Sequence, residues 1–179
     1  MPRKRIEDAG LPQNRDAELF TLGNILLDDS LYLKVAEELT AADFTLEKDR
    51  RIFRRMGDLQ ARGEPIDYVT LATELQEHGE LESADGCTYI SSLTDGMPRL
   101  SNLGAYVSLV KEAANRRRII ELGNAAIARA MDGTEKPGQI ADWCTQQLQT
   151  MTPATKNGHV NALARISHTG SSKKPPTLA

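Results

Sequence analysis

The stretch from Ser101 to Met131 contains no proline and only two glycines, Gly104 and Gly123. Proline breaks a helix interior and glycine weakens it by about 1 kcal/mol, so this run of roughly 30 residues predicts one long helix or a slightly broken pair. Residues 132–138 then contain two glycines and a proline, and a shorter helix follows with its apolar positions at Ile140, Trp143, Leu148 and Met151. We therefore predict a helical hairpin over residues 100–151.

Residues 14–99 also carry helical periodicity, whereas strict alternation of apolar and polar residues over the length of a strand is absent. Leu19, Leu22 and Leu26 recur at the spacing of one helix face. Asn14 and Asp67 are typical N-cap residues, Ser30 can cap a short helix, and Gly63 is typical of a helix C-terminus. The fold class predicted is all-α: a compact globular helical bundle at 14–99, followed by the long helical hairpin.

The two ends of the chain have a different composition. Residues 1–13 are predicted to form a flexible N-terminal arm. Residues 152–179 are rich in proline, glycine and serine and have no acidic residue, while their basic residues are Lys156, Arg165, Lys173 and Lys174. This segment is predicted to be a flexible linker or tail.

Charge and composition exclude several function classes. The net charge is −3 and the pI is about 5.7, so no global basic field indicates a dedicated nucleic-acid-binding protein, and DNA contact is expected to be indirect or weak. No run approaches the roughly 18 to 20 apolar residues of a membrane span, and no apolar segment follows the basic N-terminus as in a signal peptide. We expect no membrane contact and a cytoplasmic location.

The residues of a catalytic or metal centre are also missing from the sequence. No GxxxxGK[ST] phosphate-binding loop occurs, and the three histidines, His78, His159 and His168, are far apart. Cys87 and Cys144 have no ligand at metal-binding spacing. We predict that this chain is not an enzyme and holds neither cofactor nor metal.

Two groups of arginines have alternative interpretations. The first is a polar stripe on the third predicted helix, and it is either a solvated face in salt bridges or a polar interface: Arg50, Arg51, Arg54, Arg55 and Arg62. The second is Arg116, Arg117 and Arg118 on the long helix. Successive helical residues point about 100° apart, so at least one of these three should face a neighbouring helix or chain.

The long helix also carries an apolar seam, in which Tyr106, Val110, Ala113, Ile120 and Ile127 repeat close to coiled-coil spacing and Arg117 interrupts the repeat. One interpretation makes these residues a self-association surface. The other has them packed within the hairpin, against Ile140, Trp143 and Leu148. The sequence leaves both open, because one helix can serve two faces.

An ordered series of motifs runs through most of the chain. It begins with Leu11-Pro12, Ala17-Glu18, Leu22-Gly23 and Leu26-Leu27-Asp28, and continues with Asp43-Phe44, Ile52-Phe53, Leu59, Gly63, Pro65-Ile66-Asp67, Thr70-Leu71, Leu75, Gly79 and Leu81. It ends with Gly86, Tyr89-Ile90, Leu93, Pro98, Asn102, Tyr106, Val110 and Arg117. Over residues 11–151 this series resembles the N-terminal domain of bacterial DnaB-type replicative DNA helicases. The sequence departs from the pattern at Arg50, where many members have histidine, and at Asp85 and Cys87, in a stretch where members have glycine and an apolar residue.

The resemblance implies a collar domain that forms dimers and, in the full-length helicase, a hexameric ring, and that docks the C-terminal domain of primase and a helicase loader. Its candidate self-association or primase-docking residues are Tyr106, Val110, Ala113, Arg117, Ile120 and Ile127, and a possible polar interface is Arg50, Arg51, Arg54 and Arg55. ATP and Mg²⁺ would belong to a RecA-like motor domain that this sequence does not contain. A stand-alone helicase-binding adaptor and a small DNA-binding protein are the alternatives.

Overall fold

A computed structural model describes residues 10–96 and 102–151 of the chain. Within these ranges the chain forms α-helices and two short 3₁₀ turns, with no β-strand. The helices are α1 (Arg15–Leu27), α2 (Leu31–Ala36), α3 (Glu47–Arg62), α4 (Tyr68–Glu77), α5 (Gly86–Ser92), α6 (Leu103–Asp132) and α7 (Pro137–Met151), and the 3₁₀ turns are Ala41–Asp43 and Glu82–Ala84. The all-α prediction is therefore confirmed.

Local capping explains where several helices begin and end. The Asn14 side chain accepts a hydrogen bond from the Ala17 N–H at 3.1 Å, and Asp67 forms a capping box with Thr70. Gly63 ends α3 with φ of 71°, a left-handed conformation that side chains rarely adopt. Ser30 differs from the prediction, because its hydroxyl donates to Asp28 Oδ1 at 2.6 Å and makes no capping bond.

The core of the globular part is built from aliphatic residues, with few aromatic ones. The rings of Phe44 and Phe53 have centroids 5.0 Å apart. Aliphatic side chains from α1 to α6 surround them, and the largest of those that are fully buried are Leu22, Ile25, Leu39, Ile52, Met56, Leu59, Ile66, Leu71, Leu75, Ile90 and Leu93. Burying one such side chain contributes about 1.5 to 3 kcal/mol, so this cluster is the main stabilising term of the domain.

A buried polar cluster lies beside this apolar core. Glu18, Asp43 and Asp49 are each 0% exposed, yet all have hydrogen-bond partners. The Glu18 carboxylate accepts from the backbone N–H of Thr45 at 3.0 Å and from its hydroxyl at 2.5 Å. Arg15 pairs with both Glu18 and Asp49. Buried charges are costly unless paired, so these bonds fix α1 against the start of α3.

Tyr89 connects α5 to the same cluster. Its hydroxyl donates to Asp49 Oδ1 at 2.6 Å, and Lys48 Nζ lies 3.5 Å from the centre of its ring. Burial, followed by the hydrogen bond to the Asp49 carboxylate, raises the pKa of Tyr89 well above its usual range, so the phenol stays protonated and remains a donor. The contacts of Tyr89 with Asp49 and Lys48 therefore connect α5 to α3.

Arg117 joins α6 to the globular part. Its side chain is nearly buried, and its guanidinium donates to the Pro12 carbonyl at 2.8 Å, to Thr45 Oγ1 at 2.9 Å and to the Asp43 carbonyl at 2.5 Å. The Asp43 carboxylate meanwhile accepts from Arg118 at 2.6 Å and from Lys111 at 3.2 Å. We call this set of contacts between Arg117, Arg118, Lys111 and Asp43 the polar junction.

The structure describes only part of the predicted domain boundaries. The boundary predicted between 99 and 100 lies in residues 97–101, outside the described part of the chain. The first half of α6 belongs to the globular core, because Val107 and Val110 are buried in it. Of the arm predicted at 1–13, residues 10–13 are described, and the Arg117 hydrogen bond holds Pro12 in place. Residues 1–9 and the predicted tail at 152–179 lie outside the described part.

We expect Arg117→Met to lower the free energy of unfolding by about 3 kcal/mol, because it leaves buried acceptors without their donor. Urea denaturation followed by circular dichroism measures the change. The matched control is Arg116→Met at the neighbouring position, where the side chain is 63% exposed and pairs only with Glu112. The control should change stability by no more than about 0.5 kcal/mol. Equal effects of the two substitutions would contradict the bridging role of Arg117.

Candidate self-association surface on the helical hairpin

Helix α6 passes through two environments. It is one helix of 30 residues, so the prediction of a single long helix is correct and the broken pair is not observed. Its buried residues are Val107, Val110, Ala113, Ala114 and Arg117, and none follows Arg117. Helix α7, which returns along the second half of α6 after a turn at Gly133, has no buried residue. The hairpin beyond Arg117 therefore projects from the globular core.

One face of the projecting part of α6 is turned towards α7. Leu122 and Ala125 line a shallow groove with Trp143, Gln147 and Met151 of α7. Arg129 lies on the same side, because its guanidinium carbon is 4.2 Å from the centre of the Trp143 ring.

The opposite face of α6 carries Ile120, Ile127 and Met131, which we call the hairpin strip. At about 100° per residue these three side chains cluster around one direction, roughly half a turn from the direction of Leu122, Ala125 and Arg129. Ile127 is 60% exposed and Met131 is 83% exposed. The hairpin thus presents aliphatic side chains to solvent on the face that α7 does not cover.

A clasp holds the tip of the hairpin closed. Arg129 donates to both oxygens of Glu135, at 2.7 and 2.9 Å, while its guanidinium stacks on Trp143. A two-pronged ion pair and a cation–π contact each contribute up to about 1 kcal/mol at a partly exposed site. The clasp therefore connects the second half of α6 to the turn and to α7.

The structure divides the predicted seam into two parts. Val110 is fully buried, Ala113 is 6% exposed and Arg117 is 5% exposed, while the Tyr106 ring packs 5.2 Å from the Phe20 ring of α1. Val110, Ala113 and Arg117 are therefore buried against the globular part and form no outer surface, whereas Tyr106 is only partly buried against α1, and its role in self-association or primase docking stays a prediction. The sequence missed this because a helix seam has the same spacing whether a helix of the same chain or of another covers it.

Ile120 and Ile127 remain on the projecting part of the hairpin, and their role in self-association stays a prediction. Met131 extends the same strip, and Ile119 is 56% exposed beside it. The sequence analysis did not select either residue. The signal for Met131 was its position one helical turn after Ile127.

Most arginines of α3 are engaged in ion pairs. Arg51 contacts Glu47 at 3.3 Å, Arg55 contacts Glu80 at 2.9 Å, and Arg62 contacts the buried Glu74 at 2.5 Å. The hydrogen bond from Arg55 lowers the pKa of Glu80, and that from Arg62 lowers the pKa of Glu74. These contacts agree with the solvated, ion-paired interpretation of the stripe.

Arg50 and Arg54 differ from their neighbours on α3. Arg50 donates from Nε to the Phe44 carbonyl at 2.8 Å, and its nearest carboxylate is Glu47 at 3.7 Å. Arg54 is exposed and pairs with no carboxylate of the described residues. Of the predicted polar interface, these two are therefore the arginines whose charge is least compensated.

Sequence reasoning did not find a groove of about 710 Å³ between the end of α2, α6 and the end of α7. Polar side chains line it, among them Glu38, Lys111, Arg118 and Gln147. Among residues 10–96 and 102–151, no group of histidines, cysteines and carboxylates is arranged to hold a metal ion. The helices of these ranges also include none that is long and apolar enough to cross a bilayer.

The chain is similar in sequence to one family of known proteins. The model of the DnaB-like helicase N terminal domain matches residues 10–112. Among curated proteins, the replicative DNA helicase DnaB of Treponema pallidum (strain Nichols) is 28% identical over 155 residues, which are 87% of this chain and 35% of that protein. The corresponding helicase of Mycobacterium leprae (strain TN) is 35% identical over 124 residues, which are 69% of this chain and 20% of that protein.

Solved structures share the fold. The crystal structure of the N-terminal domain of DnaB helicase from Mycobacterium tuberculosis superposes with a TM-score of 0.74 at 31% identity, over 79% of this chain and 99% of that one. A structure of a DnaB-like replicative helicase and its interactions with primase has a TM-score of 0.67 at 24% identity, over 78% of this chain and 32% of that one. At 24% identity, the similarity to this second structure shows a shared fold only.

The chain belongs to the family of DnaB-like helicase N-terminal domains, which confirms the resemblance carried by the motifs. It spans about a third or less of the length of the curated helicases that it matches. The matched region is the N-terminal domain, and the ATPase motor of these helicases is not part of it.

We expect Arg129→Ala to loosen the tip of the hairpin, because it removes the ion pair with Glu135 and uncovers the Trp143 ring. Trp143 is the single tryptophan of the chain, so its fluorescence reports on this site alone. The emission should shift to longer wavelength and acrylamide quenching should increase, while far-ultraviolet circular dichroism changes little. Arg129→Lys keeps the charge without the two-pronged geometry and should give an intermediate result. Unchanged quenching in Arg129→Ala would show that the clasp does not form.

Proposed function

We propose that this chain is the N-terminal collar domain of a replicative DNA helicase, which brings subunits together through its hairpin and docks primase and the helicase loader. The observation that carries the proposal is the hairpin strip: Ile120, Ile127 and Met131 lie on the face of α6 opposite α7, and two of them are more than half exposed. Aliphatic side chains grouped on one face of a projecting helix favour burial against another chain.

The spacing of the strip fits a helix partner. Residues 120, 127 and 131 stand at i, i+7 and i+11, which is the repeat that keeps one apolar face aligned with a neighbouring helix. A second copy of the chain carries the same strip, so two hairpins can bury each other's apolar residues in a symmetric contact. The hairpin strip is accordingly the self-association surface in this proposal.

The polar junction gives the hairpin a fixed direction. Arg117 and Arg118 tie α6 to Asp43 and Thr45 at the point where the helix leaves the core. Because α6 is continuous through this point, movement of the globular part is transmitted to the hairpin as rotation of a rigid rod. A collar that orders six motor domains requires such a stiff connection between its globular and hairpin parts.

The proposed docking of primase has support from the fold. The helicase whose published structure describes interactions with primase has the same fold over 78% of this chain. A helical domain that lacks the ATPase motor and presents an unpaired hairpin is suited to binding and assembly. The proposed docking of a helicase loader rests on the family resemblance alone. Direct DNA binding by α3 has weaker support, because most of its arginines are neutralised by carboxylates.

Self-association should fail when a charge enters the hairpin strip. We expect Ile127→Glu to weaken association at least about tenfold, because burying an unpaired carboxylate in an apolar contact costs more than about 1.4 kcal/mol. Light scattering coupled to size-exclusion chromatography over a range of concentrations measures the change.

Ala128→Glu is the matched control, because Ala128 is also exposed and lies about a quarter of a turn from the direction of the strip. It introduces the same charge at the adjacent position and should leave association nearly unchanged. Circular dichroism must show the same helix content in both variants. A wild-type chain that remains monomeric at all concentrations, or an Ile127→Glu variant with unchanged mass, would contradict the proposed surface.

Primase docking is tested by mixing this chain with the C-terminal domain of the cognate primase. Isothermal titration calorimetry should give a saturable heat, and light scattering should give a mass larger than that of either protein alone. The same primase domain without the helicase chain is the control. If no complex forms at concentrations at which the chain self-associates, docking of primase is wrong while the assembly role stands.

A further inference from the structure

A small pocket lies between the 3₁₀ turn Ala41–Asp43, the first turn of α3 and the middle of α6. Its volume is about 190 Å³. Three guanidinium groups, two alanines and one carboxylate line it: Arg50, Arg117, Arg118, Ala42, Ala114 and Glu121. We call it the arginine pocket. It is distinct from the hairpin strip, which lies further along α6.

The charge of Arg117 is not neutralised by any carboxylate in the described part of the chain. Its side chain is 5% exposed, and its hydrogen bonds go to two carbonyl oxygens and one hydroxyl. No carboxylate of the described residues forms an ion pair with it. The described residues leave no buried side-chain nitrogen without a partner. Arg117 Nε has no acceptor among them, and Arg117 is one of the residues that line the pocket.

The other two arginines have unused donors as well. Arg50 donates from Nε to the Phe44 carbonyl, and one of its terminal amino groups lies 3.7 Å from a Glu47 carboxylate oxygen, too far for a hydrogen bond, so both terminal amino groups keep free N–H donors. Arg118 donates from its terminal amino groups to Asn115 and to the Asp43 carboxylate, with which it forms an ion pair, and its Nε makes no bond to the described residues. Donors from three guanidinium groups therefore line one small space.

We propose that the arginine pocket binds a phosphate group, either as free inorganic phosphate or as the phosphate of a small nucleotide. Guanidinium groups match the geometry of phosphate oxygens, and a nearly buried cation is stabilised by a counter-anion. Arg118 is paired with Asp43 at 2.6 Å and Arg50 lies 3.7 Å from Glu47, so Arg117 is the arginine of the lining that no described carboxylate pairs with, and a bound phosphate compensates its charge. The side chains of Ala42 and Ala114 are short and leave room for the ion.

Glu121 acts as an internal competitor in this site. It is exposed and forms no ion pair with the described residues, so it can turn towards the arginines when the pocket is empty and towards solvent when phosphate is bound. The bound ion contacts residues of α3 and α6 together and reinforces the polar junction. Phosphate thereby stiffens the base of the hairpin, which is a regulatory property beyond the proposed assembly role.

A nucleic-acid strand fits the pocket less well than a small phosphorylated molecule. The pocket admits one phosphate group, and the neighbouring arginines on α3, Arg51 and Arg55, are already paired with carboxylates. The chain carries a net charge of −3, which opposes binding of a polyanion over a wider surface.

Thermal unfolding and calorimetry test the site on the full chain. Sodium phosphate should raise the midpoint of unfolding in a saturable way, and sodium chloride at the same ionic strength should not. Parallel titrations with inorganic phosphate, a nucleoside diphosphate and a short single-stranded oligonucleotide distinguish the sources. In heteronuclear NMR, the amide signals of residues 114–118 should shift in the same titrations. Binding of the oligonucleotide alone, or no saturable effect of phosphate, would overturn the proposal.

Three variants make the test specific. Arg50→Ala should weaken phosphate binding about tenfold or more, because it removes charge-assisted hydrogen bonds to the ion. Arg54→Ala removes the same charge from the same helix outside the pocket and should bind like the wild type. Glu121→Gln removes the competitor and should tighten binding several-fold. It keeps the test decisive if Arg50→Ala is poorly folded. Equal affinity in Arg50→Ala and Arg54→Ala, or unchanged affinity in Glu121→Gln, contradicts the site.

Discussion

The structure depends on one buried contact, the guanidinium of Arg117 against the carbonyl oxygens of Pro12 and Asp43. A buried arginine is expensive to place in a protein interior, and its cost is offset here by three hydrogen bonds from α6 to two separate segments. Those segments are the approach to α1, at Pro12, and the stretch before α3, at Asp43 and Thr45. Because Asp43 also binds Lys111 and Arg118, the start of α3 cannot move without displacing α6. Aliphatic packing stabilises the domain, but directional bonds at this point determine how its parts are oriented.

This contact lets one helix serve two purposes. The first half of α6 completes the globular core with Val107 and Val110, and the second half leaves the core as the base of the hairpin. Surface exposure changes along the helix without a break in the backbone. Both proposed sites follow from this arrangement. The hairpin strip lies on the face of α6 that α7 does not cover, and the arginine pocket lies beside the polar junction. Assembly and phosphate binding would therefore be coupled through the same rigid rod.

Much of the fold could be predicted because helix ends are encoded locally. Asn14, Asp67 and Gly63 act on backbone groups within a few residues of themselves, so their sequence context is sufficient. The absence of proline from residues 101–131 likewise predicted the length of α6, because proline interrupts a helix locally. The seam was predicted less well: Tyr106, Val110 and Ala113 have the periodicity of an interface, but a periodic pattern identifies a buried face without identifying what buries it. At least one of Arg116, Arg117 and Arg118 was expected to face a neighbouring helix or chain, and Arg117 faces the residues before α1 and α3. Its acceptors could not be predicted, because they lie more than 70 residues away, which no spacing rule can reveal.

The sequence by itself determined that this chain is all-helical, that it carries a long hairpin and that it belongs with the DnaB-like N-terminal domains, because capping, periodicity and motif order are properties of neighbouring residues. Only the tertiary structure decided which residues of α6 are core and which are surface. It also brought Arg50, Arg117 and Arg118 around one pocket and left Ile127 and Met131 exposed. These outcomes depend on the direction in which α6 crosses the globular part, and that direction is set by long-range contacts with Asp43, Thr45 and Pro12.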